Sequence, residues 1–212
     1  MNPMNEPRTS PFGRLAAAVL LGGLAACDVI PPPQEDATRY YVLSAGPAQA
    51  ASPAQGAARV GLKSVKLEGY LRRREMVVRT GANEVAFRDY RRWAEPLESA
   101  VARELTAGML ASPSVAQVYA EPFLSGQERD YDVSVEITRL EGDAQSGRFA
   151  ASLSAVVVIS TAGDSPRVVA HRVFTAPAAA WDGSNYDQLA ALLSRDVAEL
   201  AKAIVADLPP RG

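Results

Sequence analysis

The chain has 212 residues, with 22 lysines and arginines, 24 aspartates and glutamates, one histidine and one cysteine. Its formal net charge of −2 at pH 7 gives no overall basic field, which argues against non-specific binding to nucleic acid. A single cysteine excludes an intramolecular disulfide and a multi-cysteine metal site, and a single histidine excludes most histidine-rich metal sites. The length and the ordinary globular composition indicate one domain of usual size, or one domain together with processing segments.

The first 26 residues have the pattern of a secretory signal. Arg8 and Arg14 come before an apolar run at 15–26, which is shorter than the about 20 residues that a membrane-spanning helix needs. The run leads into Leu-Ala-Ala-Cys at 24–27, which resembles the bacterial lipobox. We therefore expect cleavage before Cys27 and acylation of its thiol, giving a lipid-anchored envelope protein. The alternative is a plain signal peptide with an incidental cysteine.

The segment after the signal is predicted to be a tether. Residues 27–38 contain three consecutive prolines and several polar residues, a composition typical of a semi-rigid, extended linker. Residues 39–212 are then predicted to form one folded domain. Asp28, directly after the cysteine, resembles the inner-membrane retention signal of enteric bacteria, and other bacteria sort lipoproteins by different rules. The choice between the two membranes stays open at this point.

The hydrophobic pattern predicts strands and two long helices in a definite chain order. A helix is predicted at 95–110, because Leu97, Val101, Leu105 and Met109 recur every four residues. A closing helix is predicted at 186–207 on the same grounds. The strands are predicted from alternation and β-branched residues at 39–43, 59–67, 76–79, 85–88, 115–120, 131–137, 149–159 and 167–175.

This succession of elements predicts the fold class. The runs at 76–79 and 85–88 flank Thr-Gly-Ala-Asn, a hairpin turn signature. Strands combined with two long amphipathic helices favour an α+β domain with two layers. We expect a mixed, mostly antiparallel sheet with both helices packed on one face.

The sequence offers little catalytic machinery. His171 lies in a strand pattern, and no Gly-x-Ser-x-Gly, HExxH, P-loop or dinucleotide-binding motif is present. The acidic residues are spread over amphipathic elements, so no carboxylate pair can be selected. We expect a non-enzymatic protein with no cofactor and no metal site. An enzyme acting on envelope lipid or glycan would need His171 or a carboxylate pair in a cleft.

The strongest local charge feature is a run of three arginines at 72–74, with further arginines at 79, 88, 91 and 92. Such a cluster could meet anionic lipid headgroups or an acidic partner surface. The alternative is that the arginine stems cover apolar surface. Trp93 is expected in the core, whereas Trp181 lies in a loop and becomes an interaction candidate if exposed. The candidate partner or lipid contacts are Tyr70, Leu71, Arg72, Arg73, Arg74 and Trp181.

Several short motifs occur after the lipobox in a characteristic order. They are Tyr-Tyr-Val-Leu at 40–43, Val-Gly-Leu at 60–62, the run from Tyr-Leu-Arg-Arg-Arg to Asn-Glu-Val at 70–85, and Trp-Ala-Glu-Pro-Leu at 93–97. This series resembles the ABC-type transport auxiliary lipoprotein family, which includes paraquat-inducible protein C. The resemblance extends over about 39–207.

The resemblance implies a non-enzymatic accessory of an Mce-type lipid transport system. Its implied partners are an Mce-domain substrate-binding protein and an ABC permease with its ATPase, and the accessory would dock or stabilise their assembly at the membrane. Phospholipid and a second copy of the chain are further candidate partners. The family favours the periplasmic side of the outer membrane, whereas Asp28 favours the inner membrane. The alternative function is that of an envelope-assembly lipoprotein in outer-membrane biogenesis without an ABC transporter.

Overall fold

A computed structural model describes residues 35–44, 46 and 51–210. The predicted signal segment and Cys27 lie outside these residues. The chain divides into two compact units, residues 1–37 and 38–212. In the first unit the described residues 35–37 form neither helix nor strand. The fold below is that of the second unit.

The described part of the domain contains nine strands and two α-helices. A single turn of 3-10 helix at Gly69–Arg72 lies between the second and third strands, and another lies at Gln145–Gly147. The helices are α1 (Leu97–Leu110) and α2 (Tyr186–Ala206). The strands are β1 (Arg39–Tyr41), β2 (Ala58–Leu67), β3 (Glu75–Gly81), β4 (Glu84–Trp93), β5 (Val115–Ala120), β6 (Tyr131–Asp143), β7 (Ala150–Thr161), β8 (Val168–Thr175) and β9 (Ala179–Ala180).

The strands form one open, mixed sheet around β6. One edge of β6 pairs antiparallel with β7 along its whole length. The other edge pairs parallel with β2 over the first half of β6 and with β3 near its end. The sheet continues from β2 to β5, from β3 through β4 to β1, and from β7 to β8 and β9. The strands β1 and β8 therefore lie at opposite edges of the sheet.

Both helices cover the same face of the sheet. In β7 alternate residues from Ala151 to Ile159 are buried, as the period of two in a half-covered strand requires. The helices also approach each other closely, since a Cβ placed on Gly108 of α1 would lie 2.6 Å from the Cβ of Ala201 on α2. Only glycine at position 108 permits this contact, which explains its presence inside a helix.

The predicted α+β, two-layer fold is confirmed, and so is the order of its elements. The main differences lie at element ends. The strand β4 continues to Trp93 because its last residues pair with β1, and this pairing is not visible in local sequence. The first helix begins at Leu97, since Pro96 adopts an extended ψ of 127° and caps the helix from outside its first turn.

Candidate interaction surface

The three arginines at 72–74, here called the arginine cluster, are exposed: Arg72 ends the 3-10 turn, and the other two lead into β3. The guanidinium of Arg72 lies 3.6 Å from the carboxylate of Glu98, and that of Arg73 lies 3.5 Å from Glu75. Exposed pairs of this kind contribute little to stability, so the arginine charges remain available to a partner.

An aromatic ring positions one guanidinium of the arginine cluster. Arg73 lies over the ring of Phe87 on β4, with 4.6 Å between its guanidinium carbon and the ring centroid. This cation–π contact fixes the side chain against the sheet. The guanidinium of Arg73 therefore packs on an aromatic ring while more than half of the side chain stays exposed.

Tyr70, beside the arginine cluster, is half-buried and has its hydroxyl engaged. The hydroxyl donates a hydrogen bond to the backbone oxygen of Thr138 at 3.2 Å and accepts one from Arg79 at 3.3 Å. Burial raises the pKa of Tyr70 to about 12; Glu141 adds to this effect and Arg79 opposes it. The phenol therefore stays protonated and is held in place by the sheet.

The base of this surface is a buried ion pair. Nε of Arg79 donates to Oε1 of Glu141 at 2.6 Å, and the carboxylate of Glu141 is fully shielded from solvent. The Arg79 guanidinium also lies 5.8 Å from the centroid of the Tyr70 ring. Among the described residues, no hydrogen bond reaches Oε2 of Glu141. Arg79 thus belongs to the support of the surface rather than to its exposed part.

Two of the predicted contact residues lie in the core. Leu71 is 1% exposed, because the 3-10 turn directs its side chain inward, and its N–H donates to the oxygen of Glu68 at 2.9 Å. Trp181 is 5% exposed, and its indole N–H donates to the oxygen of Asn185 at 2.7 Å. The prediction that Leu71 and Trp181 offer surface contacts is therefore wrong.

Although Trp181 lies in a loop, its side chain belongs to an aromatic cluster. Its ring packs edge-on against Phe149 at 5.9 Å and Tyr186 at 5.3 Å. Trp93, expected in the core, is buried as predicted.

A second group of cationic side chains lies where β1 joins β4. The parallel register places Arg39 opposite Arg91 and Tyr40 opposite Arg92. The arginine cluster adjoins this group, since the N–H of Trp93 donates to the oxygen of Arg74 at 2.7 Å.

Glu75 links the two groups of arginines. Its own backbone N–H lowers the pKa of the Glu75 carboxyl, and the charges of Arg73 and Arg92 add to this effect. The sheet therefore gathers arginines from three segments at one end of the domain.

An open cleft of about 820 Å³, here called the β1 cleft, lies beside β1. Two arginines and one carboxylate, that of Asp187, provide its charged lining. Burial raises the pKa of Tyr186 on its wall, and the nearby charges of Arg88 and Arg91 oppose this shift. The lining residues used below are Arg39, Tyr40, Tyr41, Arg91 and Tyr186.

Sequence reasoning missed the β1 cleft for a definite reason. The residues of β1 and of α2 are far apart in the chain, and Tyr186 belongs to the buried stripe of a helix by its spacing. In the sequence, Arg91 stands out only as one of several arginines between 72 and 92. The one available signal was the unusual density of arginine and tyrosine around 39–41 and 88–92.

The described residues contain no cluster of three histidine, cysteine, aspartate or glutamate side chains that could hold a metal ion. His171 is exposed on the edge strand β8. No helix within the described ranges is both long and apolar enough to cross a membrane.

A mixed, open sheet covered by two helices places the domain in the α+β class. The family model for the ABC-type transport auxiliary lipoprotein component matches residues 41–205. The chain belongs to this family, as its sequence motifs suggested. No curated protein gave a significant match.

Solved structures share the fold. One is the crystal structure of protein XCC0632 from Xanthomonas campestris, described by the family model DUF330. Its sequence is 19% identical to this chain, and the two structures match with a TM-score of 0.67. The match covers 79% of this chain and 93% of that chain. A second crystal structure, of an uncharacterized protein, is 17% identical with a TM-score of 0.63, covering 81% of this chain and 99% of that chain. At these identities the likeness concerns the fold alone.

Proposed function

We propose that the protein is a non-enzymatic, lipid-anchored accessory of an Mce/ABC-type intermembrane lipid transport system, facing the periplasm. The observation that carries this proposal is the family match over residues 41–205, which covers nearly the whole described domain. The family is an auxiliary component of ABC-type transport, so the protein works beside a transporter. The lipid cargo, the Mce-domain partner and the docking role are the finer content of the proposal.

The lipobox at 24–27 supports the anchor. Acylation of Cys27 would tie the domain to one membrane through a short, proline-rich segment. An accessory held in this way can keep its partners at the membrane surface without crossing it. The outer membrane is favoured by the family resemblance.

The arginine cluster supports a docking role. Its arginines lie between the start of the 3-10 turn and the start of β3, and Arg73 is oriented by the ring of Phe87. Side chains that are held before binding lose less conformational entropy when a partner arrives. Because guanidinium groups recognise carboxylates in pairs of hydrogen bonds, we expect an acidic surface on the partner. Tyr70, Arg72, Arg73 and Arg74 form the proposed partner surface.

The test is affinity purification of the tagged full chain from detergent-solubilised membranes, with mass spectrometry of the co-purifying proteins. We expect an Mce-domain protein together with an ABC permease or ATPase. The double variant Arg72→Glu with Arg73→Glu should lose these proteins while its circular dichroism spectrum is unchanged.

A matched control reverses two exposed cationic residues elsewhere, Lys63→Glu with Arg167→Glu, and should retain the partners. Normal recovery from the Arg72→Glu/Arg73→Glu variant would refute the assigned surface. Recovery of outer-membrane assembly factors alone would instead favour the envelope-assembly function.

A further inference from the structure

We propose that the β1 cleft, with the exposed Tyr40 in its lining, forms a binding surface for the phosphate headgroups of anionic phospholipid in the membrane that holds the anchor. This inference rests on the anchoring part of the proposed function. It concerns the β1 side of the domain, whereas the partner surface lies at the arginine cluster.

The position of β1 in the chain supports a membrane-facing role. Arg39, the first residue of β1, follows Cys27 by twelve positions (39 − 27). A fully extended segment of this length spans about 40 Å. With Cys27 acylated, this edge of the sheet is the part of the domain whose distance from the bilayer is most tightly limited by the chain.

The charges around the cleft suit a phosphodiester. Arg39 and Arg91 lie opposite each other on neighbouring strands, so one phosphate group can accept hydrogen bonds from both. Arg91 is oriented by two contacts: Nη1 donates to the oxygen of Tyr90 at 2.9 Å, and its guanidinium lies 5.6 Å from the centroid of the Tyr186 ring.

An exposed aromatic residue on the cleft suits a bilayer surface. Tyr40 on β1 lines the cleft and is 58% exposed. Tyrosines are enriched at membrane interfaces, where the ring meets the acyl boundary and the hydroxyl meets water. An exposed tyrosine next to arginines thus combines the two attractions that hold a protein against an anionic membrane. The whole chain has a net charge of −2, so this basic edge also orients the domain.

The experiment uses the acylated full-length product, with its acylation verified by mass, reconstituted into vesicles. Because Cys27 is the only cysteine and its thiol is acylated, a variant with Ala94→Cys has one reactive thiol, at an exposed site just after β4. A fluorophore is attached to this thiol, and the vesicles carry a quencher on some of the lipid headgroups. The fluorescence then falls when the domain docks on the membrane surface. The vesicles contain phosphatidylcholine alone or phosphatidylcholine with about a quarter phosphatidylglycerol.

We expect strong quenching only in the vesicles with phosphatidylglycerol. Adding Arg39→Glu and Arg91→Glu should lower the ratio of docked to undocked domain by at least about thirtyfold, because the loss of each arginine accounts for about fivefold and each glutamate adds repulsion. The charge-matched Lys63→Glu/Arg167→Glu variant should dock normally, and a fluorophore at Val173→Cys on the opposite edge should stay unquenched.

Equal quenching in both kinds of vesicle would overturn the proposal, as would equal loss of docking in the control variant. The vesicles contain no partner protein, so a negative result here leaves the transport proposal standing. Conversely, failure to co-purify a transporter would leave a positive vesicle result standing.

Discussion

Replacing Asp196 by asparagine should stabilise the protein at neutral pH. Asp196 lies on α2, is 1% exposed, and has one carboxylate oxygen, Oδ2, without a hydrogen-bond partner among the described residues. The other oxygen lies 3.6 Å from the guanidinium of the exposed Arg195. Burial raises the pKa of Asp196 to about 6, and the Arg195 charge only partly opposes this shift.

The size and sign of the effect follow from the two pKa values. The folded pKa of about 6 lies above the ordinary value of 3.8, so the folded state binds the proton more tightly than the unfolded state. The free energy of unfolding therefore falls as the pH rises from about 4 to about 6. A difference of about two pKa units corresponds to a cost of about 3 kcal/mol at pH 7.5. Asparagine cannot ionise and avoids this cost.

Urea unfolding followed by tryptophan fluorescence provides the assay, because Trp93 and Trp181 are both buried in the folded state. Asp196→Asn should raise the free energy of unfolding by about 1–3 kcal/mol at pH 7.5 and by much less at pH 4.5. The control is Asp164→Asn, which changes an exposed carboxylate in the turn between β7 and β8. A difference between Asp196→Asn and the original protein that does not change with pH would refute the reasoning.

Three further changes test the fold and the anchor. Arg79→Met should lower the free energy of unfolding by about 3–5 kcal/mol, because it leaves the Glu141 carboxylate buried without its cation, and adding Glu141→Met should restore most of the loss. Gly142→Ala should cost about 1–3 kcal/mol in the same urea assay, because its Cβ would lie 2.9 Å from the Trp181 ring. Cys27→Ala should abolish metabolic labelling of the protein by a radiolabelled fatty acid.

Each of these tests has its own contradicting result. If the Arg79→Met/Glu141→Met protein is as unstable as the single variant, the loss does not come from an uncompensated charge. The control for Gly142→Ala is Gly69→Ala, where a Cβ meets nothing within 4 Å, and equal destabilisation of both would remove close packing as the cause. Fatty-acid labelling that persists without Cys27 would disprove acylation at this residue.

Local sequence predicted the fold because the spacing of hydrophobic residues differs between helices and half-buried strands. The four-residue recurrence from Leu97 to Met109 and the alternation from Tyr131 to Ile137 both depend on one buried face. The parallel pairing of β1 with β4 leaves no such trace. It joins segments about fifty residues apart, and only the assembled sheet defines it.

The candidate surface was predicted less well, since burial of a single residue depends on its neighbours in space. Arg72 and Arg73 are exposed as expected, because charged side chains rarely find buried partners. Leu71, between Tyr70 and these arginines, is buried, and Trp181 in its loop is buried by an aromatic cluster. The residue types in this stretch are therefore read from the sequence, but whether each side chain points to solvent or into the core is not.

Photo-crosslinking in living cells tests most directly whether the arginine cluster contacts a component of an ABC-type transporter, as we propose. A photoreactive amino acid replaces Arg73, and mass spectrometry identifies the adduct. We expect an adduct with an Mce-domain protein or its permease, and none from a probe at Val173. Adducts from position 73 with outer-membrane assembly proteins alone would contradict the proposed contact.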